Sequence, residues 1–211
     1  IETRTFEDLI YNQQTLEQEI PAEIVRHQPD EITICSFNAD FLLNNPLTDK
    51  EMVHLANIFR FCDLSSIADL QNQQFLTKIT ALLKILRYDA SYETSSSTGN
   101  SKTISAYLYR NDRIQALKPG KIYSQENSFS TPPYYGSFKV GDFDFIIATF
   151  NTTKLKPPLN SMEPLENFYE SIRNENQNIQ DIMIFGVFMF RSEDLSWDSA
   201  SLLPTFAHAA T

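Results

Sequence analysis

The longest apolar run in the chain, residues 182–190, is nine residues long. Crossing a bilayer as a helix takes about 20 apolar residues. The run is therefore read as a buried strand. Further β-rich runs lie at 32–37, 64–70 and 143–150. Between them the spacing changes. Met52, Val53, Leu55, Ala56 and Phe59 fall on one face of a helix over 50–61, with Asp49 as its expected cap. Phe75, Ile79, Leu82, Leu83 and Leu86 repeat that period, and a further helix is read over 162–174. In the middle of the chain, 104–109 and 114–117 read as a hairpin around Asn111 and Asp112, and 137–140 and 143–150 flank a turn at Gly141 and Asp142. Alternating strands and helices around central hairpins imply mixed sheet with helices outside, in one sheet or two.

A hydrophobic share of 42% with 16 Phe suits a globular domain of 211 residues. The net charge of -10 repels a phosphate backbone, which makes general nucleic-acid binding an unfavoured function, and no run suits a membrane helix. Residues 1–30 are polar, with Phe6, Leu9, Ile10 and Leu16 marking a short amphipathic helix; they are read as an extension that packs on the domain or on a partner. The domain itself is assigned to 31–211. Cys35 and Cys62 are read as buried thiols in preference to a bridge, and on that basis a cytoplasmic location is expected. His27, His54 and His208 stand far apart, without zinc spacing. The pair Tyr134 and Tyr135, after two prolines, is read as an edge anchor.

Four segments, taken in order, resemble the endonuclease/exonuclease/phosphatase superfamily, the fold of pancreatic deoxyribonuclease. Ile32-Thr-Ile-Cys-Ser-Phe-Asn38 resembles its opening strand, which ends in a metal-site Asn. Asp63-Leu-Ser-Ser-Ile-Ala-Asp69-Leu70 resembles the strand that ends in the metal-binding Glu. Ser101-Lys-Thr103 with Tyr107-Leu-Tyr-Arg110 resembles the following Lys-Glu stretch and Tyr-Arg hairpin. Phe145-Ile-Ile-Ala-Thr-Phe-Asn151 and Ile182-Met-Ile-Phe-Gly186-Val187-Phe188-Met189 resemble its His-bearing strand and its Gly-Asp-Phe-Asn signature. The resemblance covers roughly residues 31–200. It implies an α/β sandwich of two mixed β-sheets with outer helices, short of its last strands, because nothing after Trp197 matches the family's final Asp-His pair. An exposed sheet edge would then fall to a partner or to the extension.

The resemblance also implies a chemistry and its loss. Relatives cleave phosphoesters with a divalent metal held by hard oxygen ligands, a His that handles the proton, and an Asp and an Asn that hold water and phosphate. Here Asn38 matches the metal-site Asn, and Asp69 replaces the Glu with a side chain one methylene shorter, retracting its oxygen by more than ~1 Å. Thr103 replaces the acidic support of the His. Asn151 replaces the His itself, and an amide transfers no proton near neutral pH. Val187 and Met189 replace the Asp and Asn of the signature, and Thr131 stands where many relatives carry a phosphate-binding Arg.

These substitutions lead to the expectation of a non-catalytic pseudoenzyme that works as a binding or scaffold module. No cofactor is implied beyond a weak magnesium ion at Asn38 and Asp69, the vestige of the metal site, and the partner would be a protein or a second copy. Two alternatives stand beside it. One is a divergent, active metal-dependent nuclease or phosphoesterase with relocated ligands. The other is a structural subunit completed by a partner.

Overall fold

The structure is a computed structural model and describes residues 31–43, 47–71, 73–95, 103–123, 129, 132–151 and 163–187. The expected helix within 1–30, together with Thr131 and Met189, lies outside the described residues. The elements, in order, are β1 (Ile34–Asn38), a 3-10 turn (Asp40–Leu43), α1 (Asp49–Phe59), β2 (Leu64–Leu70), α2 (Gln74–Ile85), β3 (Ala90–Thr94), β4 (Ile104–Arg110), β5 (Gln115–Ile122), β6 (Tyr134–Val140), β7 (Phe143–Asn151), α3 (Glu163–Glu175) and β8 (Asp181–Val187).

The strands form two four-stranded sheets, β1-β2-β4-β3 and β5-β6-β7-β8. Each is mixed: β1 with β2 and β7 with β8 are parallel, and the other pairs are antiparallel. Three apolar layers hold them together. Ile67 and Leu70 of β2 and Ala106 and Leu108 of β4 pack against the apolar faces of α1 and α2. Leu64, Tyr107 and Tyr109 turn the other way and meet Phe138, Phe145 and Ile147 of the second sheet. Ile146, Ala148 and Phe150, on the far side of β7, receive Leu165, Phe168 and Ile172 of α3. Strand alternation thus supplies a helix-facing and a sheet-facing set from one sequence. Covered on both faces, β2 is buried along its whole length, which is why Leu64–Leu70 lacks the alternation of a half-exposed strand. The architecture is the α/β sandwich of two mixed sheets with outer helices that the resemblance implies.

β8, read as a buried strand, stands at the edge of its sheet among the described residues and is only half-buried over 182–186. Four further local expectations are corrected. The cap of α1 is Thr48, not Asp49: its hydroxyl accepts from the Glu51 amide, and the Glu51 carboxylate accepts from the Thr48 amide in return. The Thr48 hydroxyl, which also donates to the Glu51 carboxylate, and then the Thr48 amide hold that carboxyl below its ordinary range. Second, 104–109 and 114–117 do not pair. β4 lies between β2 and β3, and β5 pairs with β6, so the turn at Asn111 and Asp112 carries the chain from one sheet to the other. Ion pairs fix this crossing. The buried Asp63 takes Arg113 on both oxygens at 3.0 Å and has Arg110 at 3.8 Å, while Arg110 also grips Asp112.

Third, Cys35 and Cys62 are joined in a disulfide, with Cα atoms 5.9 Å apart. The parallel register sets Ile34 beside Leu64, which brings the residues flanking that pair together. Their separation of 27 positions conceals this in the sequence. Fourth, Tyr134 is no edge anchor. It begins the internal strand β6, is buried, and stacks on Tyr107 with ring centroids 5.0 Å apart.

Candidate functional site

Two contacts set how the sheets are aligned. Tyr109, opposite Leu64 on β2, packs on Phe138, which lies opposite Phe145 on β7. One step further along β2, Tyr107 lies opposite Ser66 and donates to the carbonyl of Tyr134, which lies opposite Thr149. The two facing strands therefore run in the same sense and end together. β1 ends at Asn38 beside Ala68, and β7 ends at Asn151 beside Val187. Asn38, Asp69, Asn151 and Val187 thus come from four strands or strand ends to one end of the sandwich, and Thr103 joins them just before β4.

Asp69 is placed there by a break in the strand. The β2–β4 register shifts between Ile67 and Leu70, and Asp69 adopts φ 57, a left-handed conformation that Asp tolerates better than most residues. Leu70 thereby returns to the helix-facing core, while the Asp69 carboxylate, only 3% exposed, accepts a hydrogen bond of 3.2 Å from the Thr103 hydroxyl. Asn38 is differently engaged. Its side-chain oxygen accepts from the Asp40 amide at 3.0 Å and starts the 3-10 turn, and the next amide, Ala39, donates to the Ala68 carbonyl. A cleft of about 200 Å³ opens nearby on the helix side of the sheet, lined by Leu42, Leu47, Met52, Phe75 and Lys78. Leu70 and Gln71, which follow Asp69, also line it, while Asp69 and Thr103 do not.

Beneath this end lies a line of hydroxyls that sequence reading missed. Ser66 and Thr149 are 2.7 Å apart across the sheets; Thr149 donates to the Tyr107 hydroxyl at 3.2 Å, and that hydroxyl donates to the Tyr134 and Ile147 carbonyls. Burial raises the Tyr107 phenol well above its ordinary pKa, with the Thr149 bond opposing. The available signal was Ser65-Ser66 inside a strand that is buried along its whole length, but neither residue's facing partner can be read from one segment.

Solved structures with the same arrangement decide the fold. A mannosyl-6-phosphatase of Bacteroides thetaiotaomicron, Bt3783, superposes with a TM-score of 0.58 at 16% identity, over 82% of this chain and 71% of that one. The fold is that of the endonuclease/exonuclease/phosphatase superfamily. Truncated TDP2 of Caenorhabditis elegans shares the fold at TM-score 0.57 and 16% identity, over 80% of this chain and 66% of that one. The human Nocturnin catalytic domain does so at 0.51 and 13%, over 73% and 63%. The chain thus spans about two thirds of the length of these neighbours. The sequence itself matches no family model and no curated protein.

The endonuclease/exonuclease/phosphatase fold implies a divalent cation, so the oxygen atoms at this end can be judged against one. Magnesium takes six oxygens in near-octahedral array, commonly with one or two carboxylates and several waters. No group of three His, Cys, Asp or Glu that could hold a metal occurs among the described residues. Asn38 and Asp69 offer an amide and a single carboxylate, each already accepting a hydrogen bond. That set suits a loosely held, largely hydrated ion better than a dedicated cage.

Proposed function

We propose that this chain is a non-catalytic version of the endonuclease/exonuclease/phosphatase fold that works by binding, as a scaffold or regulatory module. The observation that carries the reading is the state of Asp69. The carboxylate at the metal-holding position is buried and accepts from Thr103, a hydroxyl that stands where relatives place an acid. The sequence supports it further: the strand ends that complete the site carry Asn151 and Val187, and neither residue type performs proton transfer or orients water as His and Asp do. A binding role fits strand ends that are gathered while their reactive groups are exchanged.

The test is turnover. Purified protein incubated with magnesium or manganese and with DNA, RNA and aryl phosphoester substrates is expected to release no product. Product that appears with metal and disappears in Asp69→Ala would overturn the proposal.

One observation favours a second reading, a divergent active phosphoesterase: Asn38 and Asp69 arrive at the same end from neighbouring strands. That reading requires a metal. Calorimetric titration with magnesium and manganese should then give saturable binding that Asp69→Ala removes, and no heat at millimolar metal rejects it.

A further inference from the structure

The disulfide between Cys35 and Cys62 joins the elements that carry the candidate site. Cys35 lies on β1 three residues before Asn38, and Cys62 lies between α1 and β2. Among the described residues β1 is an edge strand with one neighbour, paired to β2 over the five positions Ile34 to Asn38. Parallel pairing is slightly weaker per residue than antiparallel, so a short edge strand held on one side is a weak point of the sheet. The bond sits where that weakness matters. Cys62 is 3% exposed; the Tyr88 hydroxyl donates to its carbonyl, and its sulfur approaches the Ile58 carbonyl. On either side Thr33 and Asp63 exchange hydrogen bonds, the Thr33 amide to the Asp63 carboxylate and the Asp63 amide to the Thr33 carbonyl.

We infer that Cys35–Cys62 is a structural crosslink acquired in an oxidising compartment, and that it holds β1, with Asn38 at its end, in register on β2. The cytoplasmic expectation rested on two free thiols, and the thiols are joined. Disulfides persist in oxidising compartments and are rare where thioredoxin and glutathione keep thiols reduced. In the forming reaction the two thiols give up two electrons and two protons. A protein or small-molecule disulfide accepts them and leaves as two thiols, through a mixed disulfide attacked by the second cysteine. Cys62 is buried and Cys35 half-buried, so attack by a further thiol is confined to the Cys35 sulfur, and the bond is a staple that holds two elements together. This inference is independent of the binding role proposed above, since an active enzyme of the same fold would need β1 equally.

The full chain, refolded in a glutathione buffer at an oxidising ratio, is denatured in the presence of a maleimide and weighed intact. No adduct is expected before reduction, and two after it. Two adducts without prior reduction would overturn the inference. Amide exchange of the folded protein supplies the second measurement. Reduction is expected to accelerate exchange across residues 34–38 at least tenfold while leaving the β6–β7 amides within twofold. The double variant C35A/C62A, which needs no reductant, is expected to reproduce the reduced pattern. Unchanged exchange on β1 in both the reduced protein and the variant rejects the staple.

Discussion

The hydroxyls of Ser66 and Thr149 meet at 2.7 Å between the two sheets, each on a fully buried strand position. Thr149 passes its own proton toward Tyr107, so the Ser66 hydroxyl is left to donate to Thr149. The line has one direction. It begins at β2 and ends on the Tyr134 and Ile147 carbonyls.

Thr149→Val interrupts that line and leaves Ser66 without its acceptor, at a cost of about 1–3 kcal/mol in urea unfolding. Removing both partners in Ser66→Ala with Thr149→Val should cost less than the two single changes added together. Strict additivity would mean that the hydroxyls meet without stabilising one another.

Two acidic anchors should differ sharply in weight. Asp63 is fully buried between Arg110 and Arg113, and Asp63→Ala removes the carboxylate both guanidiniums share, costing about 3 kcal/mol even though Arg110 keeps Asp112. Glu175 binds Lys121 and Tyr135 in the open, so Glu175→Gln should cost under about 1 kcal/mol, less still at high salt. Its carboxyl is held low, first by the Lys121 bond and then by Tyr135. The small stabilisation from Glu175 is therefore present above the ordinary Glu range and fades as the pH falls. Denaturation of both variants at neutral and acid pH separates the two cases.

Alkaline pH should unfold the protein before its core tyrosines ionise. Burial raises the phenols of Tyr88, Tyr107 and Tyr134. The folded state therefore retains protons that the unfolded chain releases near pH ~10, and stability declines as the pH rises beyond that point. Absorbance at the phenolate band should rise together with loss of the folded signal. Early, separate ionisation of these tyrosines would contradict their burial.

Gly186→Ala should be among the most damaging single changes. Gly186 has φ 153, and a Cβ there would fall 1.6 Å from the Phe150 carbonyl oxygen on the neighbouring strand. Either β8 shifts its register on β7 or the pair parts, a cost of about 3 kcal/mol or more. Soluble yield and melting temperature report it directly. A variant as stable as the parent would show that the strands part easily at this point.

Much of the fold was legible because its signals are local. Leu64–Leu70 was read with the bounds it has, since its apolar residues at Leu64, Ile67, Ala68 and Leu70 cluster locally. The helical spacing of Phe75 to Leu86 gave α2, and Gly141 marked the β6–β7 turn through its positive φ. What escaped depends on residues distant in sequence. The supposed hairpin at Asn111 failed because Asp63, fifty positions upstream, holds Arg113. β3, Ala90–Thr94, was overlooked because it is only partly buried and carries no strong apolar pattern. Among the candidate positions, Asn38, Asp69 and Thr103 come to one end of the sandwich. Yet neither the left-handed backbone of Asp69 nor the capping role of Asn38 has a mark in the sequence.

The crossing at Asn111 and Asp112 divides the molecule in an unusual way. Among the described residues every strand of the first sheet precedes it, and every strand of the second follows. Each described ladder is therefore built from one side of the crossing alone. The two sheets meet at Ser66 on Thr149 and are tied beside the crossing by Asp63 and Arg113. A chain so organised is a candidate for cutting at that exposed turn and reassembling from its two fragments.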